Sequence, residues 1–189
     1  MLAEERSAWS LDFGANLRAV VGGQHLAEYL SKPQVTEVPL APLYTLGVLT
    51  WRERLIPLID LARLYENNLN HHEPGAQAMG AIVLAYRETP TGSLQYGALA
   101  LANAPREINV RDDMTCELPV QPVFWSAIAA SCITYENQAV PILRVRNIFT
   151  QLLQAEPNNI ASPLPARDDV TQTILVKPAN TTECQIEEL

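Results

Sequence analysis

The chain has 189 residues, of which 48% are hydrophobic and 18% are charged, and its formal net charge is −8. This size suffices for one compact domain, or for two small lobes that share a core, with roughly two-thirds of the surface buried. The acidic balance and the scattered arginines argue against binding to nucleic acid or to an anionic membrane, because both need clustered Lys and Arg.

Short apolar stretches separated by Pro and Gly predict short strands through the first half of the chain. Asp60 precedes a short helix, Leu61–Tyr65. Its carboxylate can accept hydrogen bonds from the free backbone N–H groups at the start of that helix, so we expect Asp60 to be structural. The elements predicted before it are two strands, a short amphipathic turn and a hairpin with Arg52-Glu53-Arg54 at its tip: Ser10–Gly14, Asn16–Val21, Gln24–Leu30, and Gly47–Trp51 with Leu55–Ile59.

The second half follows a polar linker, Glu66–Gln77. A strand pair, Gly80–Tyr86 with Leu94–Leu101, precedes an irregular stretch to about Phe124, and strands return from Ser126 to Leu143. Residues 156–189 are rich in Pro, Asn, Thr and Asp, which predicts a polar C-terminal tail that adds little to core stability. Within this tail, Gln172–Val176 is a candidate for one further edge strand.

The two halves of the chain resemble each other when one is shifted by 84 residues. Gly47–Tyr65 (GVLTWRERLIPLIDLARLY) then aligns with Ser131–Phe149 (SCITYENQAVPILRVRNIF). Both segments read as a hairpin, an apolar strand with an internal proline (Pro57 or Pro141), and a short amphipathic helix. A strand proline is tolerated mainly at an edge or a bulge. The match predicts a duplication into two small β lobes that pack on each other.

The most distinctive motif is EYLSKPQVTEVPLAPLYTLGVLTWRERLIPLIDLARL, at Glu28–Leu64. It resembles the pattern of the CheW-like domain family, and the resemblance continues more loosely through Gly97–Leu101 and Val140–Leu143, over about residues 8 to 154. The matching features are a glutamate at a helix end, a proline segment, a strand start, a hairpin arginine, and a closing strand with its cap: Glu28, Pro39-Leu40-Ala41-Pro42, Gly47-Val48, Arg52 and Ile56–Leu61.

The resemblance implies a mainly β fold of two intertwined five-stranded β-barrel lobes with a few short helices. These would occupy residues 1–155, with lobes at about 10–66 and 80–150 that exchange strands at their edges. The family consists of non-catalytic adaptors in chemotaxis-type signal transduction. It implies two partners, the regulatory domain of a CheA-type histidine kinase at one lobe and the cytoplasmic tip of a chemoreceptor in a groove between the lobes.

The same resemblance selects the candidate site residues. Gly47, Pro57 and Asp60 are the structural candidates, and the partner-binding candidates are Arg52, Trp51, Glu28 and Glu53. For Arg52 and Glu28 the alternative is a solvated surface residue, and for Trp51 it is a core residue.

Three positions depart from the family pattern. The glycine that usually follows the hairpin arginine is Glu53, the usual Asn-Leu before it is Thr50-Trp51, and Arg144 stands where Asp is common. These departures cast doubt on the usual receptor contact more than on the fold. They indicate a specialised member, for example one that serves a surface-motility or twitching-motility array.

Targeting and cysteine patterns point to a soluble protein. The segment MLAEERSAWSLDF lacks the apolar stretch of a signal peptide, and no apolar run approaches the ~20 residues of a membrane span. Cys116, Cys132 and Cys184 form no CxxC motif and no disulfide framework, and we expect the first two to be small buried apolar groups. We therefore expect a cytoplasmic protein without direct membrane insertion, recruited to membrane-associated receptor arrays.

No catalytic, metal or cofactor motif is present. GxSxG, P-loop, GxGxxG and HExxH sequences are absent. His71-His72 with Glu73 offers too few ligands for a tetrahedral metal site. We expect no enzyme activity and no cofactor. Two alternatives remain open: a small-molecule-binding β-barrel, which needs convergent buried polar groups, and a hydrolase, which needs a titratable pair with perturbed pKa values.

Overall fold

A computed structural model describes residues 5–68 and 80–153. The C-terminal tail with its candidate strand, most of the predicted linker, His71-His72 and Cys184 lie outside these residues. The fold is mainly β with a few short helices, as the sequence predicts.

Eleven strands are described. In chain order they are β1 (Arg6–Gly14), β2 (Leu17–Gly22), β3 (Leu26–Leu30), β4 (Val35–Thr36), β5 (Thr45–Trp51), β6 (Arg54–Ile59), β7 (Gly80–Tyr86), β8 (Gln95–Leu101), β9 (Arg106–Val110), β10 (Ala129–Tyr135) and β11 (Gln138–Leu143). The helices are α1 (Leu61–Asn68), α2 (Trp125–Ile128) and α3 (Val145–Asn147), the last running into a π-helical turn at Ile148–Leu152. Single 3₁₀ turns lie at Gly23–His25 and Asp112–Met114.

Each sheet combines hairpins from both halves of the chain. Sheet 1 has the order β10-β11-β2-β1-β9, and sheet 2 has the order β3-β7-β8-β6-β5-β4. The two hairpins of sheet 1 meet where Val20 pairs in parallel with Ile142. The exchanged strands therefore lie in the middle of the sheets, and not at the edges as the sequence led us to expect. In the described residues neither order closes on itself, so each lobe is a sheet rather than a closed barrel.

The predicted duplication is confirmed by the strand pairing. Pro57 pairs with Val48 in the first hairpin, and Pro141 pairs with Cys132 in the second. Both hairpins close through two residues with positive φ, at 47° and 63° in Arg52-Glu53 and at 47° and 64° in Glu136-Asn137. Such turns match the twist of the strands but usually contain Asn or Gly. The turn geometry is thus retained although Glu53 replaces the family's glycine.

The central strands are buried on both faces. In β7, Ile82 and Leu84 belong to a core cluster that also contains Leu11 of β1 and therefore joins the two sheets. The alternate residues Ala81 and Val83 pack in a second cluster that belongs to sheet 2. Because side chains alternate along a strand, this pattern makes β7 a fully covered strand. The helices α1, α2 and α3 contribute to the shared cluster, so the two lobes form one packed body.

Three further sequence predictions, which concern individual elements, were wrong. Glu28, expected at a helix end, lies in β3, because β3 pairs with β7 and five residues are too few for a stable helix. The stretch expected to be irregular contains β9, all of which pairs with β1. The strand expected from Ser126 begins only at Ala129, because Trp125–Ile128 forms one helical turn.

Candidate partner-binding surface

The β5–β6 hairpin carries most of the candidate partner-binding residues. Its two-residue turn projects Arg52, whose side chain is 67% exposed, and Glu53, which is also exposed. Glu28 lies on β3, at the opposite edge of sheet 2 from β4. The structure brings Glu28 to the hairpin nonetheless, so that three of the four candidates are in contact.

Glu28 organises this contact through one carboxylate oxygen. Its Oε2 accepts a hydrogen bond from Trp51 Nε1 at 2.8 Å and one from Arg52 Nη2 at 3.1 Å. The Arg52 guanidinium also lies 4.6 Å from the centre of the Trp51 ring. An exposed ion pair contributes at most about 1 kcal/mol, and a cation–π contact at an exposed site contributes a similar amount. The arrangement therefore positions the Arg52 guanidinium more than it stabilises the fold.

Trp51 itself is a core residue. Only 5% of it is exposed, and its ring centre lies 4.8 Å from that of Tyr96 in the second cluster. Of the two interpretations that the sequence allowed, the structure supports the core position. Arg52 and Glu28 therefore form the exposed part of this contact, while the buried Trp51 lies beneath them and contacts both side chains.

The structural candidates have well-defined surroundings. Gly47 has φ of +139°, and a Cβ atom there would lie 2.2 Å from the carbonyl oxygen of Thr36. This φ is one that side-chain-bearing residues rarely adopt, so the position requires glycine. Pro57 lies in β6 opposite Val48 of β5, inside sheet 2 and next to the parallel pairing with β8.

Asp60 caps helix α1. Its Oδ1 accepts hydrogen bonds from the backbone N–H groups of Ala62 at 2.9 Å and Arg63 at 3.1 Å. Burial raises the pKa of this carboxyl group above its usual value, against the opposing effect of the Arg63 contacts. The geometry agrees with the predicted cap.

The outer face of the same hairpin is apolar, which the sequence did not single out. Leu55 is 73% exposed and pairs with Thr50. Val48 and Pro57 share that face, because residues two apart on a strand point to the same side, and both are partly exposed. Exposure of a large apolar side chain beside others is typical of contact surfaces. The signal was available, since Leu55 breaks the alternation of polar and apolar residues at the start of β6.

The equivalent face of the second hairpin is different. Thr134 and Ala139 occupy the positions of Thr50 and Leu55, and both are exposed. At the tip, Glu136 stands in place of Arg52 and forms a 2.8 Å ion pair with Arg18. The two hairpins thus share a backbone but present surfaces of different size and opposite tip charge.

A cleft of about 460 Å³ is lined by several arginines from distant parts of the sequence. Apolar residues of sheet 1, among them Val20 and Ile142, line part of it, and Asp112 is its acidic member among the described residues. In a chain of net charge −8 this is a local concentration of positive charge. The arginines that line it are Arg6, Arg87, Arg111, Arg144 and Arg146.

Two further observations concern the described parts of the chain. No group of three or more His, Cys, Asp or Glu side chains in residues 5–68 and 80–153 is placed to hold a metal ion. No helix in those ranges is both long and apolar enough to cross a membrane.

Comparison with known proteins agrees with the fold and the motif. The family model described as "CheW-like domain" matches residues 15–152. Among solved structures, the scaffolding protein TtCheW from Thermoanaerobacter tengcongensis is similar with a TM-score of 0.59 and 13% sequence identity, over 75% of this chain and 86% of that chain. No curated protein matches in sequence. Since the family model spans well over half of the chain, the chain belongs to the CheW-like domain family.

Proposed function

We propose that the chain is a non-catalytic adaptor of chemotaxis-type signal transduction, which couples the cytoplasmic tips of chemoreceptors to a CheA-type histidine kinase. The observation that carries the proposal is the difference between the surfaces of the two duplicated hairpins. One presents Leu55 and a positive tip at Arg52, and the other presents Ala139 and a negative tip at Glu136. A body with two different contact surfaces suits a protein that joins two different partners.

The first hairpin is the proposed contact for the regulatory domain of the kinase. Burial of Leu55 would supply affinity, because removing apolar surface from water is worth about 25 cal/mol per Å². Arg52 would supply specificity by pairing with a partner carboxylate, with Glu28 and Trp51 holding the guanidinium in place. Glu53, exposed beside Arg52, would repel a partner with an acidic surface at that point.

The arginine-lined cleft supports a second contact surface on the side of sheet 1. Its combination of apolar residues and arginines complements a helix that carries acidic residues beside an apolar stripe, and the receptor tip is the proposed helical partner. Transmission of a signal requires that these contacts differ between the active and inactive states of the kinase, since equal contacts shift no equilibrium. We place the protein in the cytoplasm, recruited to receptor arrays at the membrane.

Binding measurements with both partners test the proposal. The purified chain would be titrated by calorimetry with the regulatory domain of a CheA-type kinase, and separately with a soluble receptor-tip fragment, both from the source organism. We expect one-to-one binding to each, and a ternary complex by size-exclusion chromatography. Absence of binding to both partners would overturn the proposal. Binding to only one of them would contradict the coupling role and would indicate an accessory subunit of that partner.

A further inference from the structure

Cys116 and Cys132 are brought together by the fold although they are distant in the sequence. Their Sγ atoms lie 3.1 Å apart, and both residues are free thiols in the structure. Their spacing did not indicate this contact, because it does not reveal that the segment after β9 returns to β10. Thr115 and Ile133 form an antiparallel bridge, and the N–H of Cys116 donates to the carbonyl oxygen of Cys132 at 3.0 Å.

We propose that Cys116 and Cys132 are a site of reversible oxidation, which forms an intramolecular disulfide with a hydroperoxide as the oxidant. The bond requires the sulfur atoms to approach to about 2.05 Å from side chains whose backbones are already paired. A change of roughly 1 Å lies within reach of side-chain rotation, so the bond needs no rearrangement of sheet 1.

The two thiols have different roles in this reaction. Cys132 is 2% exposed, and burial raises the pKa of its thiol to about 12, so it stays protonated at neutral pH. Cys116 is the more accessible thiol, and its thiolate attacks the peroxide. The O–O bond of hydrogen peroxide breaks, and the departing hydroxide takes up the proton that the Cys116 thiol released, which leaves a sulfenic acid on Cys116 and one molecule of water. Cys132 Sγ then attacks Cys116 Sγ, the S–O bond breaks, and the departing hydroxide takes the Cys132 proton as a second water.

The disulfide would close a ring of chain that carries exposed apolar side chains. Val120 is 85% exposed and Val123 is 42% exposed, and both lie between the two cysteines. The segment in between is anchored by Phe124, which is buried in the core shared by the sheets. Oxidation would therefore add a covalent link at the two ends of this apolar segment, which the reduced chain holds by backbone pairing alone.

Mass spectrometry provides the primary test. The full chain with the substitution Cys184→Ser would be treated with hydrogen peroxide, denatured, alkylated with N-ethylmaleimide and digested with trypsin. Because the sequence has no Lys or Arg between Arg111 and Arg144, a single tryptic peptide carries both cysteines. We expect that peptide to lose two hydrogens and to carry no alkyl group after oxidation. Dithiothreitol before alkylation should restore two alkylation sites.

A thermal measurement complements it. Closing a ring of this length should raise the melting temperature of the oxidised chain by roughly 5–10 °C over the reduced chain. The variant Cys116→Ser in the same background should show no such rise and should keep one alkylation site. Stepwise oxygen addition at Cys116 without loss of the Cys132 thiol would overturn the proposal, and so would a disulfide found only between chains.

Discussion

Asp60 and Arg144 occupy the same position in the two halves of the chain, and each follows the second strand of its hairpin. The N–H of Asp60 donates to Tyr44 O, and the N–H of Arg144 donates to Ile128 O, both at 2.7 Å. The backbones are thus equivalent, but only the aspartate side chain caps the helix that follows. Substitutions at these two equivalent positions can therefore measure how much a side-chain cap contributes to the free energy of unfolding.

Replacement of the Asp60 cap should reveal both a hydrogen-bonding and a charge contribution. Asp60→Ala removes both accepted N–H bonds and should lower the free energy of unfolding by about 0.5–2 kcal/mol. Asp60→Asn keeps an oxygen that can accept them, so its cost at pH 4 should be smaller. Chemical denaturation of the three proteins at matched pH checks this order, and equal losses for both variants would contradict the role as a cap.

The pH dependence of the same variants follows from the raised pKa of Asp60. Between the unfolded value of 3.8 and the higher folded value, the folded chain holds a proton that the unfolded chain has lost. The stability that this proton linkage contributes is present below the unfolded pKa and is lost as the pH rises through the folded pKa. The stability of Asp60→Asn relative to the natural chain should therefore increase from pH 4 to pH 7. A constant difference over that range would show that burial does not disfavour the charged carboxylate.

Arg144 is the position at which a cap can be added. Arg144→Asp places an acceptor before α3, where the structure has no side-chain cap, and removes one of the arginines that line the cleft. We expect an increase in stability of about 0.5–1 kcal/mol. Arg146→Asp is the control for charge, because it makes the same charge change inside the helix, where Asp cannot cap. It also removes the hydrogen bond that Arg146 Nη1 donates to Glu88 O, at 3.3 Å. An equal gain from the control would assign the effect to the charge alone.

Gly47 should tolerate no side chain. In Gly47→Ala the new methyl group meets the backbone carbonyl of Thr36, which cannot rotate away, and the positive φ adds strain. We expect a loss of about 2–4 kcal/mol in the free energy of unfolding. Gly92→Ala is the control, since its new methyl group meets the hydroxyl of the exposed Thr89, which can rotate. A loss below 1 kcal/mol for Gly47→Ala would show that β4 can move away from β5.

Reversal of charge at the hairpin tip tests the proposed kinase contact. Arg52→Glu should weaken the complex by about 2–4 kcal/mol, through lost pairing and new repulsion. The loss of its exposed ion pair with Glu28 should cost less than about 1 kcal/mol of stability. Arg18→Glu is the matched control, because it breaks the corresponding ion pair at the other hairpin. Calorimetry would measure the affinity of each variant for the kinase domain. An unchanged affinity for Arg52→Glu would show that Arg52 is only a solvated turn residue.

The apolar face of the first hairpin provides an independent test of the same contact. Leu55→Glu changes an exposed side chain, so stability should shift by about 0.5 kcal/mol or less. Binding to the kinase domain should weaken at least tenfold, because a charge would be buried in an apolar contact. Ala139→Glu, at the equivalent position of the second hairpin, should leave that affinity unchanged. If both substitutions weaken binding equally, the kinase contact is not confined to the first hairpin.

Much of the fold could be predicted because its signals are local. The alternation of residues, the prolines and Asp60 identified the hairpins and the first helix, and the internal repeat identified their equivalence. Glu28 was misplaced because its strand is defined by pairing with β7, which is remote in the sequence. The same limit hid β9 and the contact of Cys116 with Cys132. The convergence of the arginines on one cleft also depends on tertiary structure, which the spacing of residues does not encode.

The parallel pairing of Val20 with Ile142 has a consequence for how the protein is made. During synthesis from the N terminus, β1 and β2 emerge long before β11, the strand that completes sheet 1 beside them. Until residues 138–143 leave the ribosome, β2 presents an unpaired strand edge, which is a surface prone to aggregation. Sheet 2, whose strands all lie between Leu26 and Leu101, can assemble first. The nascent chain therefore passes through a stage with one finished lobe and one open strand edge.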